Sequence, residues 1–184
     1  MRRRKRPAAA TLPDPDVIAA PPAVLQDSVL GWLPPPLLVP RNAALAIVIA
    51  WACAFFPSIA LSWLTAELMP QVARPEFDVG GGLALFLLVV FAPITETLIM
   101  AGVLTLLLRF TRPPTAILLS AAGWGLAHSL AAPAWGLVIW WPFLIFSTLF
   151  VVWRERGFFA GVGVAAAAHA LQNLGPALLL ATSN

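Results

Sequence analysis

Val79–Leu108 reads VGGGLALFLLVVFAPITETLIMAGVLTLLL, thirty residues with one ionisable side chain, Glu96. About 20 apolar residues suffice for a helix to cross a bilayer, so this stretch is long enough to span one. A carboxylate near the middle of such a helix costs roughly 2.5 to 3.5 kcal/mol on insertion scales, so intramembrane acids usually pair or do chemistry. Glu96 therefore needs companions, and the rest of the chain is read for them.

Outward from this stretch the composition is uniform in kind. The chain has 184 residues, 60% of them hydrophobic and 10% charged, with a mean hydropathy of +0.88. A water-soluble domain of this size cannot hide that much apolar surface, which predicts an all-α polytopic membrane bundle and excludes a soluble globular class. Five spans are expected: about 43–66, 82–108, 115–130, 135–153 and 158–181. The second is expected to bend at Pro93. Residues 1–40 hold nine of the eighteen prolines. They are expected to form a mostly disordered cytoplasmic arm ahead of one membrane domain, 41–184.

Five of the eleven basic residues lie in Arg2, Arg3, Arg4, Lys5 and Arg6. Such a cluster ahead of a hydrophobic segment is a topology signal and an anionic-lipid contact rather than a nucleic-acid site. No signal-peptide core follows it, so no cleavage is expected and the first span acts as the anchor. The loops continue the pattern: Glu67–Asp78 is acidic, Arg109 and Arg112 are basic, Ser129–Ala134 is uncharged, and Arg154–Arg156 is net basic. Alternation of this kind predicts a cytoplasmic amino terminus in a plasma membrane, and the Pro-rich basic arm reads as bacterial. The lone cysteine, Cys53, rules out an intramolecular disulfide.

Three acid or base residues lie inside the expected spans: Glu96, His128 and His169. Glu96 is thirteen residues before Arg109, His128 thirteen after Thr115, and His169 twelve after Gly157. At 1.5 Å per residue, all three lie roughly 18 to 20 Å from the cytoplasmic ends of their helices. Asn173 follows His169 by one turn on the same face. Each group alone has a bland reading as a packing residue or structural lock; their common depth favours a polar site within the bundle.

These residues resemble a family pattern. Ala92–Gly102 is similar to the EExxxR motif, Trp124–His128 to FxxxH, and His169–Asn173 to HxxxN, of the membrane proteases related to the CAAX prenyl endopeptidase, the CPBP or Abi family. The resemblance covers about Gly82 to Ala181, four of the five helices. It departs at three positions: Thr97 stands where the family has a second Glu, Ala101 where it has an Arg, and Trp124 where it has a Phe, a change that keeps an aromatic. Loss of both partners of an ion pair leaves no stranded charge. The resemblance implies an intramembrane glutamic endopeptidase. In it Glu96 activates water, His128 positions it or relays its proton, and His169 and Asn173 stabilise the oxyanion.

The substrate it implies is a peptide or protein at the membrane, and no cofactor is needed. A zinc-dependent version would use Glu96, His128 and His169 as ligands. A non-catalytic immunity or scaffold protein retaining the fold is a second alternative, supported by Thr97 and Ala101. A proton-coupled carrier is a third, opposed by the absence of an internal repeat.

Overall fold

The computed structural model describes residues 24–76 and 79–182. Within them lie seven α-helices: α1 (Pro35–Leu38), α2 (Ala43–Leu68), α3 (Gly81–Leu85), α4 (Ala92–Leu107), α5 (Pro113–Ala131), α6 (Pro133–Trp153) and α7 (Phe158–Thr182). A π-helical stretch, Phe86–Phe91, joins α3 to α4 into one continuous rod, and a 3-10 turn, Arg154–Arg156, precedes α7. No strand occurs among the described residues.

Local chemistry sets the boundaries. Asn42 caps α2 by accepting from the Leu45 N–H at 3.0 Å, filling one of the orphan donors at a helix start. Arg112 and Ala132 are both extended and both precede a proline that opens a helix, α5 and α6 respectively. A residue before proline avoids helical geometry, while proline itself suits the first helical turn. Gly157, at φ 123°, makes the sharp turn into α7, a backbone region open to glycine.

The five expected spans are all present as helices, and four of them are long and apolar enough to cross a membrane: Ala43–Leu68, Gly81–Leu107, Pro133–Arg156 and Phe158–Thr182. The chain is an integral membrane protein. The remaining helix, α5, has 19 residues. Ser120, Trp124, His128 and Ser129 dilute its apolar character, and it folds back on α6 through the single residue Ala132. A close backbone approach holds this hairpin: a Cβ on Gly136 would overlap Ser129 Oγ and the Gly125 carbonyl oxygen. Further along the hairpin, Ser147 Oγ donates to Ser120 Oγ at 3.0 Å.

α6 is the central helix. Two thirds of its most apolar window, 67%, is buried, against 22–28% for the other three spans, so those three turn most of their apolar surface outward, as lipid-facing helices do. Phe146, Leu149 and Phe150 of α6 fill the interior with Met100 and Leu104 of α4. Between helices in lipid such packing acts through van der Waals contact and hydrogen bonds rather than exclusion of water.

Residues 24–40 differ from the expected disordered arm. Leu25, Leu30, Leu33, Leu37 and Leu38 are buried in the common core, and Trp32 stacks on Trp141 with ring centroids 6.3 Å apart. Proline forbids a long helix here but not packed turns, and hydrogen-bonded turns at Leu25–Ser28, Ser28–Gly31 and Leu30–Leu33 present these leucines to α2 and α6. The basic cluster Arg2–Arg6 and the rest of the arm to residue 23 lie outside the described residues.

The proline inside α2 is matched across the bundle. Pro57 in α2 has no N–H for the carbonyl of Cys53 four residues earlier; Trp141 Nε1 donates to that carbonyl at 2.8 Å. A neighbouring helix thus satisfies a backbone group freed by proline, the requirement for tolerating such a break in a membrane.

Candidate active site

The four residues singled out by the sequence line one cavity of about 660 Å³. Glu96 comes from α4, His128 from α5, and His169 and Asn173 from α7. The cavity occupies only one half of the bundle. Its α2 wall runs from Phe55 to Ala66, its α4 wall ends at Glu96, its α6 wall runs from Ala134 to Phe143, and its α7 wall runs from His169 to Pro176. Glu96, Phe143 and His169 therefore form the floor. The packed Phe146–Phe150 core lies beyond, and the loop with Arg74 and Pro75 stands at the mouth.

α3 and the π-helical stretch lie against α7 but reach neither α5 nor α6, whereas α4 touches α5, α6 and α7. Near the mouth the Glu96 helix thus stands away from the α5–α6 hairpin.

Glu96 Oε2 lies 3.8 Å from His169 Nε2. The Glu96 side chain retains 27% exposure, into the cavity, while that of His169 is 5% exposed. The separation is beyond a direct hydrogen bond. The His169 ring is clamped by Phe146, stacked at 4.8 Å and 21°, and by the edge contact of Phe143 at 5.3 Å. Its Nδ1 has no hydrogen-bond partner among the described residues.

His128 is fixed differently. Its Nδ1 lies 2.9 Å from the Trp124 carbonyl oxygen. A carbonyl can only accept, so this bond puts the proton on Nδ1 and leaves the Nε2 lone pair of a neutral ring free. Trp135 packs edge-on at 4.6 Å. Phe143 lies 5.7 Å from His128 and is stacked on Trp124 at 4.3 Å. Phe143 is thus the shared wall between the two imidazoles. Nothing in the sequence pattern marks it; it reads as one more aromatic in an apolar helix.

Asn173 Nδ2 donates to the Leu88 carbonyl oxygen at 3.0 Å. This ties α7 to the π-helical stretch and leaves the second amide proton of Asn173 uncommitted by this bond. Gln172, also on the cavity wall, carries a buried Oε1 without a partner, a polar group that the motif reading did not single out.

The departures at Thr97 and Ala101 have a structural setting. Both are fully buried, on the α4 seam with Pro93, Met100 and Leu104. Packing replaces charge there, and Thr97 Oγ1 is left without a partner. Replacing Thr97 by the nearly isosteric Val removes an unsatisfied hydroxyl, so Thr97→Val is expected to leave the thermal midpoint in detergent unchanged or raise it. A clear fall would reveal a partner for the hydroxyl.

Among the described residues no three His, Cys, Asp or Glu side chains are grouped so as to hold a metal ion. In the donor set of the zinc alternative, Glu96, His128 and His169, both imidazoles pack against the Phe143 ring.

A multi-helix membrane bundle with a carboxylate, two imidazoles and a carboxamide around an open cavity defines an integral membrane protein with a polar intramembrane site. Residues 79–175 match the family described as type II CAAX prenyl endopeptidase Rce1-like. The match covers more than half of the chain and runs from the start of the Glu96 helix to beyond Asn173. The chain belongs to this family of CAAX-type membrane proteases. Neither the comparison with curated proteins nor that with solved structures gives a match.

Proposed function

We propose that the protein is an intramembrane endopeptidase that hydrolyses peptide bonds of membrane-associated substrates with Glu96 as the general base. The observation that carries this reading is the approach of Glu96 to His169 on the floor of a large open cavity that His128 and Asn173 also line. Glu96 takes a proton from water as the water oxygen attacks the scissile carbonyl carbon. The Nε2 lone pair of His128 orients the water or relays its proton. His169 Nε2–H and the second Asn173 N–H stabilise the oxyanion, as fixed donors do best in a water-poor site. Collapse of the intermediate breaks the C–N bond, and the departing amine takes up the proton. The family supplies the reaction class; the roles rest on the geometry and the motif resemblance.

Side of entry follows from charge. Arg41, Arg109, Arg112, Arg154 and Arg156 cluster at the ends of helices remote from the cavity mouth. By the positive-inside rule that end is cytoplasmic, so the mouth faces the opposite side of a bacterial plasma membrane. The substrates this fits are membrane-anchored peptides whose cleavage site lies within the bilayer or on its outer side. Anionic lipid at Arg2–Arg6 fits the same orientation.

Comparative proteomics of membrane peptides from cells carrying wild type or Glu96→Gln tests the function. Peptides that accumulate uncut in the variant, with new termini in the wild type, are expected. Identical peptide profiles for wild type, Glu96→Gln, His128→Ala and His169→Ala would point to a non-catalytic protein.

A further inference from the structure

We propose that Asn173 is a positioning residue: its side-chain amide stands in for the backbone N–H that Pro93 lacks, and so fixes the π-helical turn that aims Glu96. In this stretch the hydrogen bonds run from residue i to the N–H of residue i+5, as shown by the Ala92 N–H bonded to the Leu87 carbonyl. The next bond in that register would join the Leu88 carbonyl to the N–H of residue 93, which is proline. Leu88 O is the carbonyl that Asn173 Nδ2 reaches, at 3.0 Å. Trp141 does the same for Cys53 O above Pro57 at 2.8 Å, so the device occurs twice in this bundle.

Its consequence for the site comes from helix geometry. A π turn contains one more residue than an α-helical turn of the same length, so its loss would rotate one side of the rod relative to the other by about 100°. Glu96 follows the stretch by five residues and Leu88 lies within it. Unwinding it would carry the Glu96 carboxylate away from His169 or displace α3 from α7. The Asn173 bond links the two elements that must keep register, because Asn173 and His169 lie one turn apart on the same helix.

This inference rests on the protease reading only for its catalytic consequence, and the test separates the two. Hydrogen–deuterium exchange of residues 86–92 is measured in purified protein in nanodiscs, where Leu88 and Ala92 line the cavity and meet water. Asn173→Leu should speed exchange there by roughly three- to tenfold, the worth of one hydrogen bond. Pro93→Ala restores a backbone N–H, and Pro93→Ala with Asn173→Leu should return exchange to within about twofold of wild type. Hydrolysis of the peptides found by comparative proteomics should fall with Asn173→Leu and rise again only in part in the double variant, which regains the turn but still lacks the second Asn173 N–H.

Unchanged exchange in Asn173→Leu overturns the proposal. So does hydrolysis no higher in the double variant than in Asn173→Leu alone despite restored exchange, which would assign the amide to the substrate alone. Pro93→Ala by itself checks that the rod still folds, by its thermal midpoint; if it does not, Asn173→Gln and Asn173→Asp replace the rescue. Gln keeps the donor and should hold exchange nearer wild type than Asp, which as a carboxylate has none; equal exchange in the two overturns the proposal. If wild type hydrolyses nothing, the protease reading fails while the exchange result still decides the role of Asn173 in the turn.

Discussion

Glu96→Gln is expected to lower peptide hydrolysis by roughly 10²- to 10⁴-fold, the usual worth of a positioned general base. The amide keeps the shape and size of the carboxyl group but cannot take the proton from water. The fold should be indifferent to the change. The Glu96 side chain faces the cavity, its approach to His169 is 3.8 Å, and no hydrogen bond to it is seen among the described residues. Removing an intramembrane charge that lacks a close partner costs no packing and relieves its desolvation. The thermal midpoint should therefore be unchanged or higher. A variant that lost activity and stability together would instead make Glu96 a structural lock, the bland reading of a lone intramembrane acid.

The second large effect is structural. Gly136→Leu should separate α5 from α6, because even a Cβ at this position meets Ser129 Oγ and the Gly125 carbonyl oxygen. Overpacking a tight contact costs about 1–3 kcal/mol, and interfaces between membrane helices rely on small residues for close backbone approach. His128 and Trp135 lie beside this contact and Phe143 two turns on, so activity should fall with the melting temperature. Gly102→Ala and Gly123→Ala are the controls. A Cβ at either meets nothing within 4 Å, and alanine is the better helix former by about 1 kcal/mol. Both should melt at or above wild type. A Gly136→Leu protein as stable as these controls would contradict the close packing of the hairpin.

Much of the fold was legible because its boundaries are written in residues with strong local rules. Pro113, Pro133 and Gly157 punctuate the apolar runs, and the expected spans agree with the helices to within a few residues at each end. Residues 24–40 were misread because proline content speaks against long helices but says nothing about turns packed on a neighbour. Their leucines become core only once α2 and α6 supply a surface. α5 was expected to span like the others; its polar residues leave it outside the four helices apolar enough to do so.

The site was legible in part for a different reason. Intramembrane charge is costly, so Glu96, His128 and His169 stood out against an apolar background, and counting residues from the helix ends put them at one depth. The cavity that all of them line agrees with that count. Phe143 was invisible, since an aromatic among aromatics carries no signal. The bond from Asn173 to Leu88 was equally hidden: Pro93 marks a freed carbonyl, but only the folded bundle shows which side chain answers it.

Peptide-bond hydrolysis in this cavity, with Glu96 as base and without a metal, is the proposed activity. The direct measurement is mass spectrometry of a membrane-anchored peptide library incubated in liposomes with purified protein, with and without a chelator. New peptide termini should form with wild type, persist with the chelator, and be lost with Glu96→Gln. Cleavage that survives Glu96→Gln, or that the chelator abolishes and zinc restores, would rule out metal-free hydrolysis with Glu96 as base.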